Sequence, residues 1–132
     1  MTDILDRLPY ARFLGLEAMC DGQALTVTMP FADRLIGNPM LPALHGGATA
    51  ALLELTAIAQ VAVIYPRLRL PRPINVSVAY LRSGRPADVK AIARIGRAGR
   101  RVAHVLAEAW QDDPRNPIAA LTAHFLIAGD DS

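Results

Sequence analysis

The stretch that most constrains this chain is Leu41–Tyr65, LPALHGGATAALLELTAIAQVAVIY, the longest apolar run in the sequence. His45-Gly46-Gly47 opens it and Pro66 closes it, because proline cannot extend a helix interior. Residues 48–65 contain neither Gly nor Pro and are rich in Ala and Leu, which predicts a helix of about five turns. On a wheel of about 100° per residue, Thr49, Thr56 and Gln60 share one side. Glu54, the only acid, falls elsewhere, among Gly47, Ala50, Ala51, Ala57, Ile58 and Val61. A helix so apolar all round is packed on several sides, and a carboxylate on such a face is costly unless it is paired or protonated. Glu54 therefore snorkels out to solvent, meets an arginine from another segment, or has a chemical task.

The polar residues Thr49, Glu54, Thr56 and Gln60 interrupt the run, so it reads as a buried soluble helix and not a membrane span. A chain of 132 residues suits a single domain, 1–132, with its own core. The beginning, MTDILDRLPYARF, lacks the pattern of a signal peptide, and a lone Cys20 suits a reducing compartment; a cytoplasmic location is expected. No His, Cys and Asp cluster at ligand spacing occurs, so no metal is expected.

Net charge is only +2, yet residues 67–101 hold ten basic groups and one acid, Asp88. Such a field attracts an anionic ligand such as a nucleotide phosphate. Aromatic residues are few and no nucleic-acid motif is present, so a nucleic-acid partner is not expected.

Around the helix, residues 3–8 suggest a short helix that stops at Pro9, with Tyr10–Leu16 ambiguous. Leu16–Cys20, the pair Asp21-Gly22 and Gln23–Phe31 read as a hairpin, with Leu25, Val27, Met29 and Phe31 on one side of the second arm. Residues 32–44 form a loop. The last sixty residues read as an antiparallel meander: Ile74–Leu81 with Ile74, Val76, Val78 and Tyr80 on one side, then Asp88–Ile95, a turn at Gly96–Gly99, Arg101–Gln111 and Ile118–Ala128. The expected fold class is α+β, an antiparallel sheet of about five to six strands wrapped around one long central helix.

This element order, with Asn38-Pro39, then Leu44-His45-Gly46-Gly47, then Glu54 nine residues after the histidine, resembles the hotdog-fold acyl-CoA thioesterases of the PaaI-like group. Asn75-Val76-Ser77-Val78-Ala79-Tyr80-Leu81-Arg82 is similar to the family's first strand after the helix, and Gly99-Arg100-Arg101-Val102-Ala103 to its later turn. The resemblance implies hydrolysis of an acyl- or aryl-acyl-CoA thioester, with coenzyme A as part of the substrate and no separate cofactor. It implies Glu54 as general base on water or as nucleophile, and the Gly46 N–H, with Gly47 beside it, as stabiliser of the developing oxyanion. A helix start suits that task, since its first N–H groups lack intrahelical acceptors and glycine leaves the approach open. His45 is either an orienting residue or part of the loop, and Asn38 either holds the water or thioester or caps a turn before proline. Arg82, Arg97, Arg100 and Arg101 are the candidates for the coenzyme A phosphates. Nine helical residues place His45 and Glu54 about 13 Å apart, too far to share one carbonyl within one chain. The resemblance implies a homodimer or homotetramer with the site at the dimer interface.

The sequence departs from the family pattern at Pro39, at Ile58 one turn after the acid, where some members place Thr, and at Pro73, where others place Ser. Thr49, Thr56 or Gln60 then remain to help position water. Two further readings follow: a non-catalytic acyl-thioester binding module, and a hotdog dehydratase, whose helix usually opens with Pro-Gly instead of His-Gly-Gly.

Overall fold

A computed structural model describes residues 5, 8–32, 46–65 and 71–127. Leu5 is helical and Leu8 is not; the remaining residues of the helix expected before Pro9 lie outside the described residues. Pro9 also begins a helix: α1 is Pro9–Leu14, with Leu8 at the N-cap and Gly15 in the left-handed region at φ 72°. The proline ring is pre-set for the first helical position, where a missing N–H costs nothing. Strands β1, Glu17–Asp21, and β2, Ala24–Met29, form the expected hairpin. Asp21 pairs with Ala24, so the turn residues are Gly22 and Gln23, one position later than expected. Gly22 has φ 63°, which glycine tolerates at the first position of a two-residue hairpin turn.

The long helix, α2, is Gly46–Ile64. Then come β3, Arg72–Tyr80; β4, Val89–Ala98; β5, Val102–Trp110; and β6, Ala119–Leu126. The six strands form one antiparallel sheet in the order β1-β2-β4-β5-β6-β3. The expected four-strand meander is therefore a three-strand meander, β4-β5-β6, with β3 carried across to the far edge beside β6. Each strand's alternation is local, but its choice of neighbour is not. β4 also runs on through the expected Gly96–Gly99 turn. Gly96 sits at a register shift between Ile95 and Arg97, a bulge that keeps the strand paired to Ala98.

The sheet's inner face carries Leu25, Val27, Met29, Val89, Ala91, Val105, Ala107, Leu121, Ala123 and Phe125, all buried. α2 lies on this face, burying Leu52, Leu53, Thr56, Ala59, Gln60 and Val61. Many small alanines on the strands let the helix approach closely. The two polar residues facing the sheet are satisfied. The Thr56 hydroxyl donates to the Leu52 carbonyl, 2.6 Å. Gln60 clamps the hairpin: its Oε1 accepts from Leu25 N–H at 2.9 Å, and its Nε2 donates to the Gln23 carbonyl at 2.7 Å. The substitution Gln60→Leu leaves a buried N–H without an acceptor and should lower unfolding stability by about 2 kcal/mol, read by urea denaturation.

Candidate functional site

The side of α2 that faces away from the sheet is lined by Gly47, Ala50, Ala51, Glu54, Ile58, Ala62 and Tyr65, spaced at three and four residues. Gly47 is exposed and the other six are half-buried. Glu54 is the one charge on this apolar stripe, and it has no hydrogen-bond or ion-pair partner among the described residues. The sequence placed Ala57 and Val61 beside it; both turn into the core instead.

Gly46 starts the helix, so its N–H has no acceptor one turn earlier within α2. The Tyr80 hydroxyl at the end of β3 donates to the Gly46 carbonyl at 3.0 Å. A Cβ on Gly46 would lie 3.4 Å from the Tyr80 ring, so this aromatic face covers the helix entry. A cavity of about 390 Å³ opens here, lined by Gly46, Thr49, Tyr80, Leu81, Arg82, Ser83, Gly84 and Ile118. Thr49 is buried, and Arg82 is exposed at the mouth.

Of the expected site residues, Gly46 and Arg82 meet at this cavity. Glu54 does not. Eight helical residues separate it from Gly46, about 12 Å. Arg100 and Arg101 lie in the β4–β5 turn, where the Arg101 carbonyl accepts from Ile127 N–H, 2.7 Å. That is the far end of β6 from Ala119, the partner of Tyr80. Seven strand residues separate the two ends, about 23 Å. Arg97 pairs with His104 near that far end. The basic segment is thus one cluster in sequence but two in space. Asn38 and His45 lie outside the described residues.

Thr56 and Gln60, expected as possible helpers of Glu54, are committed to the sheet side. His104 and His124 stack on each other with ring centroids 4.8 Å apart, and His124 Nδ1 is 3.0 Å from Asn75 Oδ1. A second hollow of about 230 Å³ beyond Arg82 holds the exposed pair Arg85–Asp112 and the side chain of Asp113. The Arg115 side chain, and then its backbone N–H, hold the Asp113 carboxyl below the usual carboxylate range. No group of three His, Cys, Asp or Glu able to hold a metal occurs among the described residues. Tyr80 is the feature the sequence reading missed; its only signal there was a place in a strand motif.

An antiparallel sheet on one long helix that starts at a glycine pair is the architecture of a hotdog thioesterase. Residues 37–126 match the acyl-CoA thioesterase N-terminal domain family, and the chain belongs to that family. Among solved structures, a protein of the thioesterase superfamily is 26% identical, with 96% of this chain and 94% of that one covered and a TM-score of 0.86. A protein from Chromobacterium violaceum is 38% identical over 96% of this chain and 88% of its own, with a TM-score of 0.77. A phenylacetic acid degradation-related protein from Ralstonia eutropha shares the fold at 23% identity, covering 95% of this chain and 97% of its own, with a TM-score of 0.75. No curated protein matches the chain.

Proposed function

We propose that this chain hydrolyses an acyl- or aryl-acyl-CoA thioester as a homodimer or a larger assembly of dimers, in the cytoplasm, with coenzyme A entering only as part of the substrate. The observation that carries the reading is the Glu54 carboxylate, without a partner among the described residues, on an otherwise apolar, half-buried helix face. A carboxylate is kept in such a place at a cost in stability, and a task in proton transfer or nucleophilic attack accounts for it. In this reading Glu54 takes a proton from water as the water adds to the thioester carbonyl. The Gly46 N–H, with Gly47, holds the developing oxyanion. The C–S bond then breaks, and the departing thiolate takes up the proton. Direct attack by Glu54, through an anhydride that water opens, uses the same atoms.

Two features support assembly. β3 is an edge strand with Ile74, Val76 and Tyr80 exposed, and an open apolar edge invites pairing. The apolar stripe around Glu54 also has no cover among the described residues. Antiparallel pairing of β3 with its own copy would set the Arg72 end of one strand beside the Tyr80 end of the other. The partner's β4–β5 turn would then approach Arg82, so that Arg97, Arg100 and Arg101 serve the cavity of the other subunit. Asn38 and His45 precede the helix and would complete the oxyanion side.

The test is thiol release from short, medium, long and aromatic acyl-CoAs. Turnover of at least one class at 1 s⁻¹ or faster, on the order of typical enzymes, is expected. A second reading, a non-catalytic acyl-thioester binding module, is favoured by Ile58 one turn after Glu54, which leaves no polar helper on that face. Tight acyl-CoA binding without thiol release would decide for it.

A further inference from the structure

One wall of the cavity at the helix start is made by Leu81, Arg82, Ser83 and Gly84. They belong to residues 81–88, which run from β3 to β4 without helix or strand. No ladder holds such a segment, so its position depends on individual bonds. Its start is tied to the sheet: the Leu81 and Arg82 N–H groups both donate to the Ile118 carbonyl, at 2.8 and 3.1 Å. Its end is tied as well, since Asp88 Oδ1 accepts from Phe31 N–H at 2.7 Å.

The middle is held by one side chain, Gln111, the residue that follows β5. Its Oε1 accepts from Arg85 N–H at 3.0 Å. Its Nε2 donates to the Arg85 carbonyl at 2.8 Å and to the Ala87 carbonyl at 3.2 Å. Pro86, between them, has no N–H, and Ala87 N–H turns back to the Arg85 carbonyl at 2.7 Å. The half-buried Gln111 amide thus satisfies the backbone groups of Arg85 and Ala87 that the turn leaves over. A primary amide suits this place because it accepts and donates at once; a carboxylate could make only the first bond. The ion pair Arg85–Asp112 runs beside it but is exposed on both sides, and such pairs contribute little.

We propose that Gln111 is a positioning residue for acyl-CoA binding: its amide holds the 82–87 segment, and with it Arg82 at the cavity mouth, where the anionic coenzyme A thioester is received. The ligand rests on the thioesterase reading; the hold on the segment does not. Gly46 and Glu54 stand on α2, which Gln111 does not touch, so its loss falls on binding and not on the chemical step.

The experiment compares wild type with Gln111→Ala, Gln111→Glu, Arg82→Ala and the double variant Gln111→Ala/Arg82→Ala, with Asp112→Asn as a control on the exposed ion pair. Three quantities are read: kcat and KM, the Kd of a thioether analogue of acyl-CoA by titration calorimetry, and amide exchange at Arg85. A segment in its receiving position only about a tenth of the time weakens apparent affinity about tenfold. In Gln111→Ala, KM and the analogue's Kd should therefore rise about tenfold with kcat within about twofold of wild type, and Arg85 exchange should quicken several-fold. Gln111→Glu keeps the bulk and the acceptor, loses both donations, and should show the same rise if the alanine variant does not fold. Arg82→Ala alone should raise Kd about tenfold, yet cost less than about threefold more on top of Gln111→Ala, because the arginine is then already misplaced. Asp112→Asn should stay within about twofold of wild type. Unchanged Kd in both Gln111 variants overturns the proposal. So does a loss confined to kcat, or effects of Gln111 and Arg82 that multiply in full. Failure of wild type to bind the analogue overturns it too. If wild type binds the analogue and hydrolyses no thioester, the thioesterase reading fails by itself, and the Kd comparison still decides the role of Gln111.

Discussion

Glu54→Ala should lower kcat for the best thioester substrate by about a hundredfold or more, while the protein remains folded and at least as stable as wild type. The rate loss is what removal of a general base costs. The stability expectation comes from the setting of Glu54. The carboxylate is half-buried, sits among Ala50, Ala51 and Ile58, and has no partner among the described residues. Replacing it with alanine breaks no bond seen there, removes a partly desolvated charge and installs a better helix former. A structural residue loses stability when it is truncated. A functional one in a costly place loses activity and keeps or gains stability. Glu54→Gln, which keeps the shape and loses the basicity, should be nearly as inactive. Thiol release measured beside a urea melt on the same preparations reads both quantities. Activity within about threefold of wild type for Glu54→Ala would remove Glu54 from the mechanism.

The central helix, the hairpin and the strand faces were legible in the sequence because each rests on a short-range period. Leu25, Val27 and Met29 alternate and are buried as that alternation demands. The 48–65 run, free of Gly and Pro, is helical through Ile64. What the sequence could not reveal was long-range. β3 alternates like its neighbours, yet nothing in residues 72–80 says that it pairs with β6 and not with β4. Its apolar side is largely exposed along the sheet edge, with Ile74, Val76 and Tyr80 open. Gly96 was read as a breaker and serves regular structure as a bulge, and Pro9, read as a stop, also opens the helix that follows it. The site divides in the same way. Gly46 and Glu54 stand in a recognisable spacing. Tyr80 bonds Gly46 across thirty-four residues and leaves no local pattern. The arginines of residues 67–101 are neighbours in sequence only. An antiparallel sheet carries successive turns to opposite ends, so Arg82 and the Arg100-Arg101 turn part by about 23 Å.

That separation, together with the 12 Å between Gly46 and Glu54, makes a strong demand on any mechanism that uses both, and the demand is testable by complementation. Gly46→Val and Glu54→Ala should each be inactive. The first adds a branched side chain where even a Cβ lies 3.4 Å from the Tyr80 ring, and so closes the approach to the helix start. If each site takes Gly46 from one subunit and Glu54 from the other, a mixed dimer of the two variants holds one site with both defects and one with neither. Random pairing of equal amounts makes about half of the dimers mixed, and one of the two sites works in each, so activity should return to about a quarter of wild type. Purified mixed dimers, isolated through two different affinity tags, should reach about half. The effect is large because it rises from a background near zero, and no change in stability can imitate it. Mixtures that stay at the level of the separate variants would mean that a single chain supplies both groups. The helix would then have to bend or the substrate span the 12 Å, and the open edge of β3 would lose its place in the chemistry.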